Sequence, residues 1–281
     1  DVLTLTGQGD INGGVSNSSG ILTITTTAPV TSVTLAEYES ALESITYHNT
    51  LEDPTQNNNS RDLTLTWVTN DANSDDAGTG TSTVTSTITL TPSIDIPVVS
   101  DAGGTLAYDE NDPPKIIDNT ITIVDDDDTH IEGGTVTISS GYLTGDVLTL
   151  AGQGDINGGV SNSSGVLTIT TTAPVTLSEY ESALESITYH STSVDPTITA
   201  SSRTITWLVT DANSDGAGAG TSTAVTSTIN ITPINDAPVV SDAGGTLPYT
   251  ENDPPKIIDN TITIGDDDDT HIEGGTVTIS S

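Results

Sequence analysis

The sequence predicts an all-β chain of tandem antiparallel β-sandwich domains, each with one short helix. Three observations support this. Apolar runs are short and alternate with Thr or Ser, the period-2 mark of a sheet with one wet face. Turn residues separate the runs. The pattern is also written twice: Asp1 opens DVLTLTGQGDINGGVSNSSG, Asp146 opens DVLTLAGQGDINGGVSNSSG, and residues 274–280 repeat 133–139 as GGTVTIS. A period of about 140 residues is one domain rather than one supersecondary unit, so the chain reads as a slice of an array that starts in mid-repeat.

In chain order, Ile121 and Ile123, Val136 and Ile138, and Leu148 and Leu150 mark three strands. Turns at Asn157-Gly158-Gly159 and Asn162-Ser-Ser-Gly165 lead to the Leu167 and Ile169 strand. Thr176-Leu-Ser-Glu179 then reads as a capping box, with Leu177, Tyr180 and Leu184 on one helical face. The first copy offers Thr34-Leu-Ala-Glu37 with Leu35, Tyr38 and Leu42. Ile205, Trp207 and Val209, then Val225, Ile229 and Ile231, complete seven or eight strands per repeat. The many β-branched Thr residues suit the exposed faces.

Pro233-Ile-Asn-Asp-Ala-Pro238 and Pro92-Ser-Ile-Asp-Ile-Pro97 read as stiff linkers after a strand. They divide the chain into 1–95, the C-terminal part of one repeat; 96–236, a complete repeat; and 237–281, the first strands of a further repeat. Together 1–95 and 237–281 make one domain, less Gly141-Tyr-Leu-Thr-Gly145, which occurs only in the middle. The end segment is therefore expected to complete 1–95 of the same or a neighbouring molecule.

Forty Asp and Glu stand against four Lys and Arg, for a net charge of −36. Nucleic acid is excluded as a natural partner, because phosphate binding needs basic side chains to displace counterions. Anionic membrane surfaces are disfavoured for the same reason. The chain has no Cys, so disulfides and thiolate metal sites are ruled out. It has no run of about twenty apolar residues and no N-terminal signal, which means little for a fragment. Bound cations would neutralise the charge most simply.

Ca²⁺ takes six to eight oxygen ligands from converging carboxylates and carbonyls. The densest candidates are Asp125, Asp126, Asp127 and Asp128, repeated as Asp266, Asp267, Asp268 and Asp269. If alternate side chains face opposite ways, about two of each four bind and the rest are solvated; a solvated acidic turn is the competing account. Glu110 and Glu251 stand in Tyr108-Asp-Glu-Asn-Asp-Pro-Pro114 and its repeat, where Asp109 becomes Thr250, against the competing reading of a Pro-containing turn. The linkers offer Asn235 and Asp236, with Asp95 matching Asp236. Asp211-Ala-Asn213-Ser-Asp215-Gly216 opens like an EF-hand loop. Ser222 then stands where a bidentate Glu is needed, and the first copy has Asp76 at the glycine, so a hairpin with a possible Ca²⁺ contact from Asp211 or Asp215 is expected. His48, His130, His190 and His271 lack partners for zinc or nucleophilic chemistry and read as structural or surface residues. Few aromatics are present to line a sugar cleft, which argues against glycoside hydrolysis by paired carboxylates.

Three segments in order, Leu-Ser-Glu-Tyr-Glu-Ser-Ala-Leu-Glu-Ser-Ile-Thr-Tyr189, Arg203-Thr-Ile-Thr-Trp-Leu-Val-Thr-Asp211 and Ile-Asn-Asp-Ala-Pro238, resemble the cadherin-like, Ig-like tandem repeats of giant bacterial RTX-type surface adhesins. The resemblance implies an extracellular, cell-surface extender projecting a distal ligand-binding region, with a place in cell adhesion and biofilm. It also implies several Ca²⁺ ions at domain junctions, held by Asn235, Asp236, Glu110 or Glu251 and the acidic runs. Ile94 replaces Asn235 at the first linker, so that junction would bind fewer ions or bind them differently.

The expected function is a calcium-rigidified spacer whose partners are neighbouring repeats of the same polypeptide. No membrane contact, small-molecule substrate or enzymatic activity is expected. The alternative is a recognition module that binds glycan or a partner protein through its loops. It would predict loop differences between copies and an exposed aromatic or apolar platform.

Overall fold

In the computed structural model, which describes residues 1–27, 32–56, 58–73, 76–214 and 216–280, the alternating runs become strands and each capping box starts a helix. The chain divides into two units. One comprises Asp1–Asp95, Asp126–Asp128 and Asn213–Gly218; the other comprises Ile96–Asp125, Thr129–Ala212 and Ala219–Ser281.

The first unit contains β1 (Val2–Leu5), β2 (Gly14–Val15), α1 (Leu35–Glu43), β3 (Thr46–His48), β4 (Arg61–Asn70) and β5 (Thr81–Leu90). β1 lies between β2 and β3 in one sheet, and among the described residues β4 and β5 form a two-stranded sheet. Its core is small: Leu5, Ile11 and Ala41 are buried, with Leu22, Ile24, Tyr38 and Ile45 half-buried against them. The predicted helical face is only partly used, because Leu35 is exposed.

The second unit begins with β6 (Val98–Ser100), β7 (Thr105–Asp109), β8 (Lys115–Ile116), β9 (Thr122–Val124), β10 (His130–Ser140), β11 (Asp146–Leu150), β12 (Gly159–Val160) and β13 (Val166–Thr176). It continues through α2 (Leu177–Leu184), β14 (Thr188–Ser191), β15 (Ser202–Asp211), β16 (Val225–Thr232), β17 (Val239–Ser241) and β18 (Thr263–Gly265). Between residues 98 and 232 the ladders are more fragmented than the seven or eight strands expected. Pro113 and Pro114 separate β7 from β8, and Gly152, Gly154 and Gly158 lie between β11 and β12.

A five-stranded sheet, β13-β10-β15-β16-β7, faces a four-stranded sheet, β12-β11-β14-β8, across one apolar core. β7 runs parallel to β16, while the other pairs in these two sheets are antiparallel. This is an immunoglobulin-type sandwich, with strands early in the sequence shared between both sheets. β10 is the central strand: Val136 lies opposite Leu167 on one side and Trp207 on the other. Gly134 lies opposite Ile169 and Val209, where a Cβ would meet the Leu208 carbonyl and the Tyr180 hydroxyl. Only glycine allows that close approach.

Both helices begin as the sequence predicts. The Thr176 hydroxyl accepts from Glu179 N, and the Glu179 carboxylate accepts from Thr176 N, with the same exchange between Thr34 and Glu37. Tyr180, Ala183 and Leu184 of α2 are buried, and Leu177 packs at the edge of the core.

Two buried polar networks cross the second unit. Arg203 Nε donates to Asp146 Oδ2 at 2.5 Å with both side chains fully buried. The guanidinium also donates to the carbonyls of Pro196 and Ala200, each at 2.7 Å, and Tyr189 Oη donates to Asp146 Oδ1 at 2.7 Å. Such satisfaction is what makes a buried ion pair tolerable. The second network joins Trp207 Nε1 to Ser227 Oγ at 2.9 Å and Ser227 Oγ to Asp118 Oδ2 at 2.8 Å. Burial opposes ionisation of Asp118, but donation from Thr120, Ser227 and the Gly104 and Thr120 N–H groups outweighs it and holds the carboxyl below its ordinary 3.8.

Candidate metal centre

The acidic run after β9 bends at Asp126 and Asp127 instead of continuing as a strand. Alternation of side chains therefore does not apply within it. Asp125, Asp127 and Asp128 bring carboxylate oxygens within 4.8 Å of one another, while Asp126 is exposed. The repeat after β18 does the same with Asp266, Asp268 and Asp269 and leaves Asp267 exposed. Three of each four converge, where strand geometry predicts two.

Each run also touches a linker backbone. Asp127 Oδ2 accepts from Asp95 N at 3.1 Å, and Asp268 Oδ2 accepts from Asp236 N at 3.0 Å. The 32-residue separation is the same in both pairs, so the duplicated sequence reproduces the same turn. Asp128 Oδ1 accepts from the N–H and hydroxyl of Ser214. Two residues before Asp236, Ile234 N donates to Glu110 Oε2 at 2.8 Å. Glu110 follows β7 and is buried, and its N–H donates to Thr232 O at 2.9 Å.

Some predicted ligands are not brought into these groups. Glu251 and Asn235 are exposed, and Asn235 Nδ2 donates to the Asp236 carbonyl at 2.7 Å. Asp211 is buried at the end of β15, where its Oδ2 accepts from Gly220 N at 2.7 Å and ties off the loop. Asn213 Oδ1 accepts from Gly218 N at 2.7 Å within the same loop. Asp215 lies outside the described residues. The Arg203–Asp146 pair was not read from the sequence, since the partners stand 57 residues apart and Asp146 resembles any other acidic residue.

The electrostatics of the second run fit a cation. Backbone donation from Asp269, then the hydrogen bond with Asp268, holds Asp266 below the ordinary carboxylate value. The Asp236 N–H favours ionised Asp268, but the bond shared with Asp266, burial, and the charges of Asp266 and Asp269 outweigh it and push Asp268 up. Two carboxylates this close retain a proton unless another positive charge replaces it. Asp268 Oδ1 and Glu110 Oε1 are shielded from solvent and have no hydrogen-bond partner among the described residues. An all-oxygen donor set with shielded, unsatisfied carboxylate oxygens suits Ca²⁺, which tolerates irregular coordination.

No family model matches the chain, and no curated protein does. Among solved structures, the cis-dimer of protocadherin gammaB7 EC3-6 matches 96% of this chain and 53% of that one, at 15% identity and a TM-score of 0.29. The protocadherin GammaB4 extracellular domain matches 96% of this chain and 35% of that one, at 14% identity and a TM-score of 0.25. The chain thus spans about half and about a third of these two structures. Among the described residues, no helix is long and apolar enough to cross a membrane.

Proposed function

We propose that this chain is a stretch of the extender of a bacterial RTX-type surface adhesin: an extracellular, non-enzymatic rod of β-sandwich repeats stiffened by Ca²⁺ at its linkers. The reading rests mainly on the grip of Asp268 on the Asp236 backbone, beside a cluster of three converging carboxylates. The protein's own groups do the work. Asp266, Asp268 and Asp269 supply anionic oxygens, and the Asp236 N–H orients Asp268. Glu110 fixes the linker two residues earlier. Bound Ca²⁺ would neutralise these carboxylates, replacing repulsion across the linker with coordination. The neighbours of each repeat are other repeats of the same polypeptide.

Isothermal titration with Ca²⁺ tests the reading. Extracellular modules bind at about 10⁻⁴–10⁻³ M. Binding in that range should weaken at least about tenfold in Asp268→Asn and stay unchanged in Asp267→Asn, whose side chain is exposed outside the cluster. No binding in that range, or equal loss in both variants, would refute it.

A further inference from the structure

Of the strands in the two facing sheets of the second unit, the first in sequence, β7, and the last, β16, lie side by side. They pair in parallel, from Thr105 opposite Thr228 to Asp109 opposite Thr232. The ladder continues past both ends of β7. Thr228 N donates to the Gly104 carbonyl at 3.0 Å, and Glu110 N donates to the Thr232 carbonyl at 2.9 Å. Ile234 N then donates to Glu110 Oε2 at 2.8 Å, so a buried carboxylate ties the linker itself to the end of β7. Tyr108, Ile229 and Ile231 are buried along the pair, and exclusion of water strengthens its bonds.

The direction of pairing decides how this ladder meets tension. The chain enters β7 at Thr105 and leaves β16 at Thr232, and parallel pairing puts those two points at opposite ends of the ladder. A pull along the polypeptide therefore slides the strands lengthwise past each other and loads all the bonds together. An antiparallel pair would present both loaded points at one end, and its bonds would open one at a time. β6 lies upstream and is held to β9 by three residue pairs, so its release leaves the ladder intact.

We propose that the β7–β16 ladder is a tension-bearing clamp and that Glu110 is the positioning residue that latches the linker to it. This deepens the extender reading and rests on it for the source of the tension. The core strands between β7 and β16 are shielded from load until the clamp breaks. The clamp consists of backbone bonds and the Glu110–Ile234 contact, so it holds without Ca²⁺. The ions govern stiffness at the linkers, and the clamp governs tensile strength.

Opening of the 281-residue chain under constant force tests this. The chain has no Cys, so an introduced pair defines where the force enters. Gly103→Cys with Ala237→Cys loads opposite ends of the ladder; Gly103→Cys with Ala224→Cys loads the same end. All three positions are exposed, and nothing lies within 4 Å of a Cβ at Gly103. At equal load the same-end pair should open at least about tenfold faster, because its bonds break singly. Rupture of the opposite-end pair should release roughly 440–480 Å of chain at 3.3–3.6 Å per residue. Within that pair, Glu110→Ala should open at least about fivefold faster, and Glu110→Gln, which keeps an acceptor of the same length, should stay within about twofold. Equal rates in the two directions overturn the clamp, and a Glu110→Ala rate equal to the wild type overturns the latch. The directional contrast needs no change at Glu110, so it decides the clamp even where Glu110→Ala destabilises the fold. Repeating the series in EDTA separates this from the calcium reading. A contrast that persists supports the clamp even if the chain binds no Ca²⁺, whereas a contrast seen only with Ca²⁺ overturns it, because the ions would then carry the load.

Discussion

Replacing Arg203 by Met removes the cation from a fully buried Asp146 while keeping most of the side chain's volume. The carboxylate then loses the Nε bond at 2.5 Å, and the carbonyls of Pro196 and Ala200 lose their donors. Tyr189 Oη at 2.7 Å and Leu143 N at 2.8 Å are its remaining partners. Removing one partner of a buried pair costs about 3–5 kcal/mol. For a domain of this size that lowers the melting temperature by roughly 10–20 °C. The repeat supplies its own control. Arg61 stands 4.0 Å from Asp1, with side chains 30% and 40% exposed, so Arg61→Met should cost about 0–1 kcal/mol. Each unit carries one tryptophan, so urea unfolding followed by fluorescence in a Trp67→Phe background reports the second unit through Trp207. A loss below about 1 kcal/mol for Arg203→Met would refute the view that the pair is tightly coupled.

Thr176→Ala removes the hydroxyl that caps α2 and should cost about 1 kcal/mol in the same urea assay; an unchanged midpoint would show the box to be dispensable. Asp118 is held below its ordinary value of 3.8, so its contribution is fully present above that pH and is lost as pH falls through the folded value. Midpoints measured from pH 5 downward should therefore fall less steeply for Asp118→Asn than for the wild type. Parallel curves would contradict the assignment. Calcium affinity should fall with pH from above the ordinary carboxylate range, because Asp268 is raised and must lose its proton to bind. An affinity unchanged down to the ordinary carboxylate value would remove Asp268 from the ligands.

Local signals were the legible ones. Thr176 and Glu179 specify a helix start within four residues, and Val136 and Ile138 specify a strand by alternation. What the sequence hid depends on long-range partners or on irregular backbone. Arg203 meets Asp146 across 57 residues, and Glu110 meets Ile234 across 124. The acidic runs bend, so an argument from strand alternation undercounts their converging carboxylates. Leu35 has the right spacing for a buried helical face but is exposed, whereas its equivalent Leu177 packs against a full core. Pattern locates the elements, but burial depends on having enough partners to complete the core.

The central claim is that Ca²⁺ at the linkers sets the stiffness of the chain. Small-angle scattering of the chain tests it with saturating Ca²⁺ and again with EDTA. The account predicts that chelation changes the maximum dimension and increases flexibility, and that Asp268→Asn reproduces part of the change while Ca²⁺ is present. Identical scattering profiles with and without Ca²⁺ would contradict it.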